Sequence, residues 1–289
     1  MSAGGTIPQA SAALELHAHL LPPKRNASLM RWAHRAMPDC PIPVDITVEQ
    51  AIEDLRGAGA QTIVNLLFPL QAGEADELHA WGAQLTAANP DIVPLGGVHA
   101  EDADPAGVVR RAIEDHGMHG LKLHPMVQRF SPGHPALVPA LGALAEYGLP
   151  LYVHTGFDEF YGWGFDVGEL GAIAERHPEI PLVLCHSNFP RFAWAAQLAR
   201  RHAQVWLDTT NSWAASEDAP AEQRAQLRAG LAGLFEAAPN RVVFGTDYPA
   251  GMGTLHDLHA CAAELAPEGV DAPARMLENG RRLLGLMRG

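Results

Sequence analysis

Eight short apolar runs, each followed by an amphipathic stretch, constrain this 289-residue chain more than any other feature. The runs fall at roughly 13–19, 61–67, 92–98, 119–124, 150–155, 181–186, 204–209 and 241–247. Several, such as TIVNLLF, PLVLC and RVVFG, are unbroken apolar stretches, as expected of strands buried on both faces of a parallel sheet. Between them VEQAIEDLRGAG, DPAGVVRRAIEDHG and DVGELGAIAERH carry helical periodicity, with Gly57, Gly117, Gly148 and Asn89-Pro90 read as stops. Eight β-then-α units in this length predict an α/β fold, a (β/α)8 TIM barrel forming one domain over 1–289. An open doubly wound sheet is the competing architecture. No GxGxxG opens the first helix, which weakens it.

Polar residues capable of chemistry close these runs. His17 and His19 end ALELHAH, His124 ends GLKLH, His154 ends PLYVH, His186 ends PLVLCH and Asp247 ends VVFGTD. With fifteen histidines in the chain, an H-x-H triplet carries little weight alone. Its place on a strand adds weight, because residues two apart face the same side about 6.5–7 Å apart, close enough to share one ion. By the same parity His154 follows Tyr152, His186 follows Leu184 and Asp247 follows Gly245, each expected to point inward at the upper strand end. Glu15 shares the parity of His17 and is expected one layer deeper. A barrel gathers such ends on one face, whereas an open sheet spreads them along a line.

The formal charge of −13 and the lack of a basic stripe exclude nucleic acid as a natural partner. No apolar stretch is long enough to span a bilayer, and the first fourteen residues lack the pattern of a secretory signal. Cys40, Cys185 and Cys261 form neither a CxxC pair nor a disulfide framework, so free thiols in a reducing cytoplasm are expected. The expected partner is a small-molecule substrate. Barrels commonly pair through helices or loops, which leaves a homodimer open.

Three segments are too long or too aromatic for ordinary βα turns. The first, 20–46, is expected to form a lid or wall over the barrel mouth, and its Arg25, Arg31 and Arg35 either meet an anionic substrate or form a solvated face. The others are GFDEFYGWGF after the fifth strand and TTNSWAASED after the seventh. Phe157, Phe160, Tyr161, Trp163 and Trp213 are placed at the mouth, where aromatic walls suit a flat or cyclic substrate. Ordinary loop packing is the competing reading for them, and Trp81, Trp194 and Trp206 are assigned to the core.

The segments ELHAHLLP, GLKLHPMVQRF, LYVHTG, LVLCHSN, FGTDYPAG and the tail ENGRRLLGL, in this order, resemble the metal-dependent amidohydrolase superfamily. The likeness is greatest to amidohydrolase family 2, the branch with the aminocarboxymuconate-semialdehyde and resorcylate decarboxylases. The resemblance implies one divalent ion held by His17, His19, His154 and Asp247, with zinc expected first and manganese, iron or cobalt as alternatives. It also implies that His186 lies behind the ligands or contacts bound water and substrate. Lys122 and His124 share parity on the fourth strand. Lys122 is expected to contact substrate, with a buried pairing to Glu15 and a carbamate bridge between two metals as alternatives. His124 either orients substrate or bonds a neighbouring strand.

Such a site supplies hydroxide from metal-bound water, Asp247 as base and His186 as donor to a developing oxyanion, the set needed for amide, lactone or ester hydrolysis. Asp247 and His186 are therefore the expected catalytic pair. The same parts serve non-oxidative decarboxylation of an aromatic or unsaturated acid. A metal-free lactonase using Lys122 and nearby arginines such as Arg129, and a catalytically retired barrel acting as a binding protein, are the remaining alternatives.

Overall fold

The computed structural model describes residues 13–287. Its eight strands are β1 (Leu14–Ala18), β2 (Thr62–Leu66), β3 (Ile92–Leu95), β4 (Leu121–Leu123), β5 (Leu151–His154), β6 (Leu182–Cys185), β7 (Val205–Asp208) and β8 (Val242–Val243). Each lies inside the run expected for it. All pairings are parallel, in the orders β1-β2-β3 and β4-β5-β6-β7-β8. Bridges between Gly96 and Leu121 and between Ala18 and Tyr248 join the two sheets into a closed cylinder. The fold is a (β/α)8 barrel, and every strand end reaches one mouth.

The helices used below are α1 (Pro23–Ala36), α2 (Val48–Ala58), α3 (Ala75–Ala88) and α4 (Ala272–Met287). Helix α1 occupies the first long insertion, with Pro23 at its first position, where a missing N–H costs nothing. Helix α2 starts on a capping box, Thr47 with Gln50, and ends at Gly59, whose φ of 115° only glycine adopts freely. Gly57, read as a stop, sits inside α2. The left-handed residue two positions on ends the helix.

Two layers of apolar side chains pack on either side of the strands. Leu121, Leu151, Val153, Leu182, Leu184 and Leu207 face outward among helical side chains such as Leu141, Leu144, Ile173 and Leu198. Val64, Leu66, Val93, Leu95, Tyr152, Val183, Cys185 and Trp206 belong to a separate cluster that fills the cylinder and reaches Leu283 and Leu284 of α4. The alternation of the two sets along each strand is the period-2 geometry that aims polar residues inward.

Candidate metal centre and substrate cavity

Strand β1 carries the lower part of the site. Glu15 is buried and accepts from the backbone N–H of His17 (2.9 Å), the N–H of Thr246 (3.0 Å) and the Thr246 hydroxyl (2.7 Å). Burial outweighs these donors and pushes its carboxyl up to about 7. A Cβ at Gly245 would lie 2.5 Å from His17 Cβ and 2.6 Å from His17 N, so only glycine lets the eighth strand pass β1 this closely. Above that crossing, Asp247 N–H donates to His17 O at 2.8 Å and His19 N–H to Tyr248 O at 2.8 Å.

The acceptors behind each imidazole set its tautomer. Nδ1 of His19 faces Leu66 O at 2.9 Å, and Nδ1 of His186 faces Thr210 O at 2.8 Å. A carbonyl oxygen only accepts, so both Nδ1 atoms carry the proton. His17 Nδ1 faces Asp208 Oδ2 at 2.6 Å, and Asp208 Oδ1 takes the N–H (2.9 Å) and hydroxyl (2.6 Å) of Thr210. His186 Nε2 is thereby left to accept from His154 Nδ1 at 3.2 Å. Burial lowers the pKa of His17, His154 and His186, which keeps the three rings neutral.

The consequence is that His17, His19 and His154 all present bare Nε2 lone pairs. Those of His17 and His154 are buried and have no hydrogen-bond partner among the described residues. His17 Nε2 and His19 Nε2 stand 3.4 and 3.0 Å from Asp247 Oδ1. Lone pairs aimed at an ionised oxygen repel unless a cation lies between them. The donor set fits a divalent ion, with Asp208 and the two carbonyls fixing ring orientation from behind. His17, His19 and Asp247 offer ligand atoms within 4.8 Å of one another; His154 stands outside that trio.

Non-glycine residues held in the left-handed backbone region gather here: His186, Ser187 and Asn188 (φ 60°, 46° and 58°), Asn211 (57°), Phe157 (58°) and Asp247 (64°). Such conformations cost about 1–3 kcal/mol each and persist only where the surroundings impose them. They also correct one expectation. Leu184 packs outward with the helices, and Cys185 faces the interior. Parity therefore aims position 186 away from the site, and the left-handed backbone of His186 itself (φ 60°) turns its ring back. Its Nε2 is taken by His154, so His186 orients that ring.

Above the centre lies a cavity of about 510 Å³ lined by His19, His124, His154, His186, Asn211 and Asp247 at the polar end. Asn211 Nδ2 donates to Asp247 Oδ2 at 2.8 Å. Phe157, Phe160 and Tyr161 line the wall as expected, and Leu21, Leu29 and Trp32 from the first insertion face them. Trp32 and Tyr161 stack at 5.9 Å with 8° between ring planes, closing the cavity from both sides. His124 stacks on His154 at 3.8 Å, and its Nε2 lies 3.5 Å from Tyr161 Oη.

Three residues expected to contact substrate lie off this wall. Lys122 is fully buried below the centre, its Nζ donating to Cys185 Sγ at 3.1 Å. It pairs with neither Glu15 nor the cavity. Trp213 is packed in the outer core, with the Arg228 guanidinium 5.2 Å over its ring. Trp163 is half-buried and absent from the lining, as are Arg31, Arg35 and Arg129, all exposed. Lys122 and Arg129, named for the metal-free mode, are thus both off the cavity lining. Two residues that the sequence pattern did not single out matter instead. Asp208 closes an apolar run just as Asp247 does, and that signal could have found it. Asn211 carries no comparable mark.

A closed parallel barrel with imidazoles and a carboxylate converging at its C-terminal mouth defines a metal-binding TIM barrel. The chain belongs to the amidohydrolase family: the sequence model of the family described as Amidohydrolase matches residues 15–286. No curated protein matches. Among solved structures, an uncharacterised TIM-barrel protein from Bordetella bronchiseptica is 20% identical, with a TM-score of 0.68 over 96% of this chain and 100% of that one. A 5-carboxyvanillate decarboxylase from Novosphingobium aromaticivorans, complexed with manganese and 4-hydroxy-3-methoxy-5-nitrobenzoic acid, is 14% identical (TM-score 0.61, 94% of each chain). A protein assigned as a 2-pyrone-4,6-dicarboxylic acid hydrolase from Pseudomonas putida is 19% identical (TM-score 0.63, 95% of this chain and 97% of that one). At these identities the likeness is one of fold. Among the described residues, no helix is long and apolar enough to cross a membrane.

Proposed function

We propose that this chain is a metal-dependent hydrolase attacking the amide, lactone or ester carbonyl of a small, flat substrate. The observation that carries the reading is that the Nε2 atoms of His17 and His19 face Asp247 Oδ1, and those of His17 and His154 are buried without a partner among the described residues, at the floor of an aromatic-walled cavity. His17, His19 and Asp247, with His154 as fourth ligand, would hold a divalent ion, zinc the first choice, which would supply a Lewis acid able to make water nucleophilic near neutral pH. Asp247 accepts the proton of the attacking water, while Asn211 holds its other oxygen in place. His186 keeps His154 in the tautomer that exposes Nε2. Burial raises the Tyr161 hydroxyl above its ordinary value, so it stays protonated and serves as donor to the oxygen that gains charge.

Decarboxylation of an aromatic or unsaturated acid is the second reading, favoured by the stacked aromatic wall. A panel of lactones, N-acyl compounds and hydroxybenzoates, followed by acid release and by CO2, separates the two. Hydrolysis that needs added metal, and that Asp247→Asn lowers by several orders of magnitude with the fold intact, is the expected result. CO2 release without hydrolysis refutes it. Metal bound without either reaction leaves a binding protein.

A further inference from the structure

The cavity has a second polar pole that the metal centre does not use. Arg25, in the first turn of α1, lines the wall with 21% of its side chain exposed. Its Nη2 donates to Phe68 O at 3.0 Å, and its Nη1 reaches Glu74 Oε2 only at 3.4 Å, long for a charge-assisted bond. That same Oε2 already accepts from the N–H groups of Leu70 (2.8 Å) and Gln71 (3.2 Å). Glu74 therefore stays satisfied if Nη1 turns away. Of the five N–H donors of a guanidinium, most at Arg25 have no acceptor among the described residues. Burial also lowers the guanidinium from its ordinary value, as for a cation whose lost water is incompletely replaced.

Phe68 separates this pole from the metal centre. Its ring centroid lies 5.9 Å from Arg25 Cζ, 5.6 Å from the His19 ring and 5.1 Å from the His124 ring. The lining also includes the apolar Leu21, Leu29, Leu70 and Val127, with Ser28 and Glu74 as further polar members. We propose that Arg25 binds a carboxylate of the substrate at the end of the cavity remote from the metal, so that the substrate is a flat monoanion whose reacting carbonyl stands about one aromatic ring from its charge. The planar fork of arginine suits a carboxylate bidentately. The proposal rests on the hydrolase reading, and it sharpens that reading. A carboxylate held at Arg25 is not the group that would leave as CO2 at the metal pole.

The test uses the metal-loaded chain and two probes, 4-acetamidobenzoate and its uncharged counterpart 4-acetamidobenzamide, with binding measured by calorimetry. The wild type is expected to bind the charged probe at least about tenfold more tightly, as one charge-assisted pair allows. Arg25→Gln should bring the two affinities to within about twofold while leaving metal content and the neutral probe's affinity unchanged, and Arg25→Lys should keep part of the preference because charge survives and the fork does not. Equal affinities in the wild type, or no binding of the charged probe, overturn the proposal. A preference that survives Arg25→Gln places the carboxylate on the metal and overturns it too. Equal weakening of both probes means that Arg25 only latches α1, and the carboxylate subsite is then refuted as well. No turnover is needed, so a failed hydrolysis panel alongside an Arg25-dependent preference sinks the hydrolase reading and spares the subsite.

Discussion

Asp208→Asn probes the centre without touching any ligand atom. Asp208 Oδ2 accepts the Nδ1–H of His17 at 2.6 Å, and Oδ1 accepts two donors of Thr210. Both the histidine and the carboxylate are fully buried. An amide offers a single acceptor oxygen, so either orientation conflicts with a neighbour. With the oxygen toward His17, the amide NH2 confronts the N–H and O–H of Thr210. With the NH2 toward His17, the ring must protonate Nε2 and withdraw the lone pair that would hold the ion. A hydrogen bond to a charged group contributes about 1.5–3 kcal/mol, and loss of an outer partner of a metal-bound imidazole lowers metal affinity about 10–100-fold. The two figures agree, since tenfold is about 1.4 kcal/mol. Competition for zinc against a chromophoric chelator should show a loss in that range, with the melting transition still cooperative. A well-folded variant whose affinity stays within about threefold of wild type would refute the role assigned to this carboxylate.

Further expectations concern packing and protonation. Gly245→Ala should reduce metal content and stability together, by about 1–3 kcal/mol or more, because the new methyl collides with the backbone of His17; chemical denaturation with metal analysis checks both. Trp213→Ala should lower stability by about 3–5 kcal/mol yet leave KM nearly unchanged, since the ring packs in the core; a selective rise in KM would return it to the cavity. His79, on the buried face of α3, is fully buried, and burial lowers it to about 4 from its ordinary 6.5. A depressed histidine stabilises above its unfolded value, and that contribution, up to about 3 kcal/mol, is lost as pH falls from 6.5 to 4. Urea titrations across that window should therefore show a shallower pH dependence for His79→Gln than for wild type.

Much of the architecture was legible because it is written in local patterns. Apolar runs of strand length and helical periodicity depend on neighbours a few residues apart, so each of the eight strands lies inside its expected run, and parity aimed His17, His154 and Asp247 inward. Helix ends were less secure, as Gly57 shows, because a stop depends on which residue adopts positive φ. The route of His186 into the site depends on its own left-handed backbone, which periodicity does not encode. Lys122 and Trp213 looked like cavity residues by composition and position, yet one ends beneath the centre and the other behind the barrel. Sequence alone determined a strand–helix alternation and a set of histidines and one aspartate at strand ends. Only the closed barrel decided that Asp208 stands behind His17, 191 residues away along the chain, because that contact exists only once the β8 end pairs with β1 and brings β7 within reach.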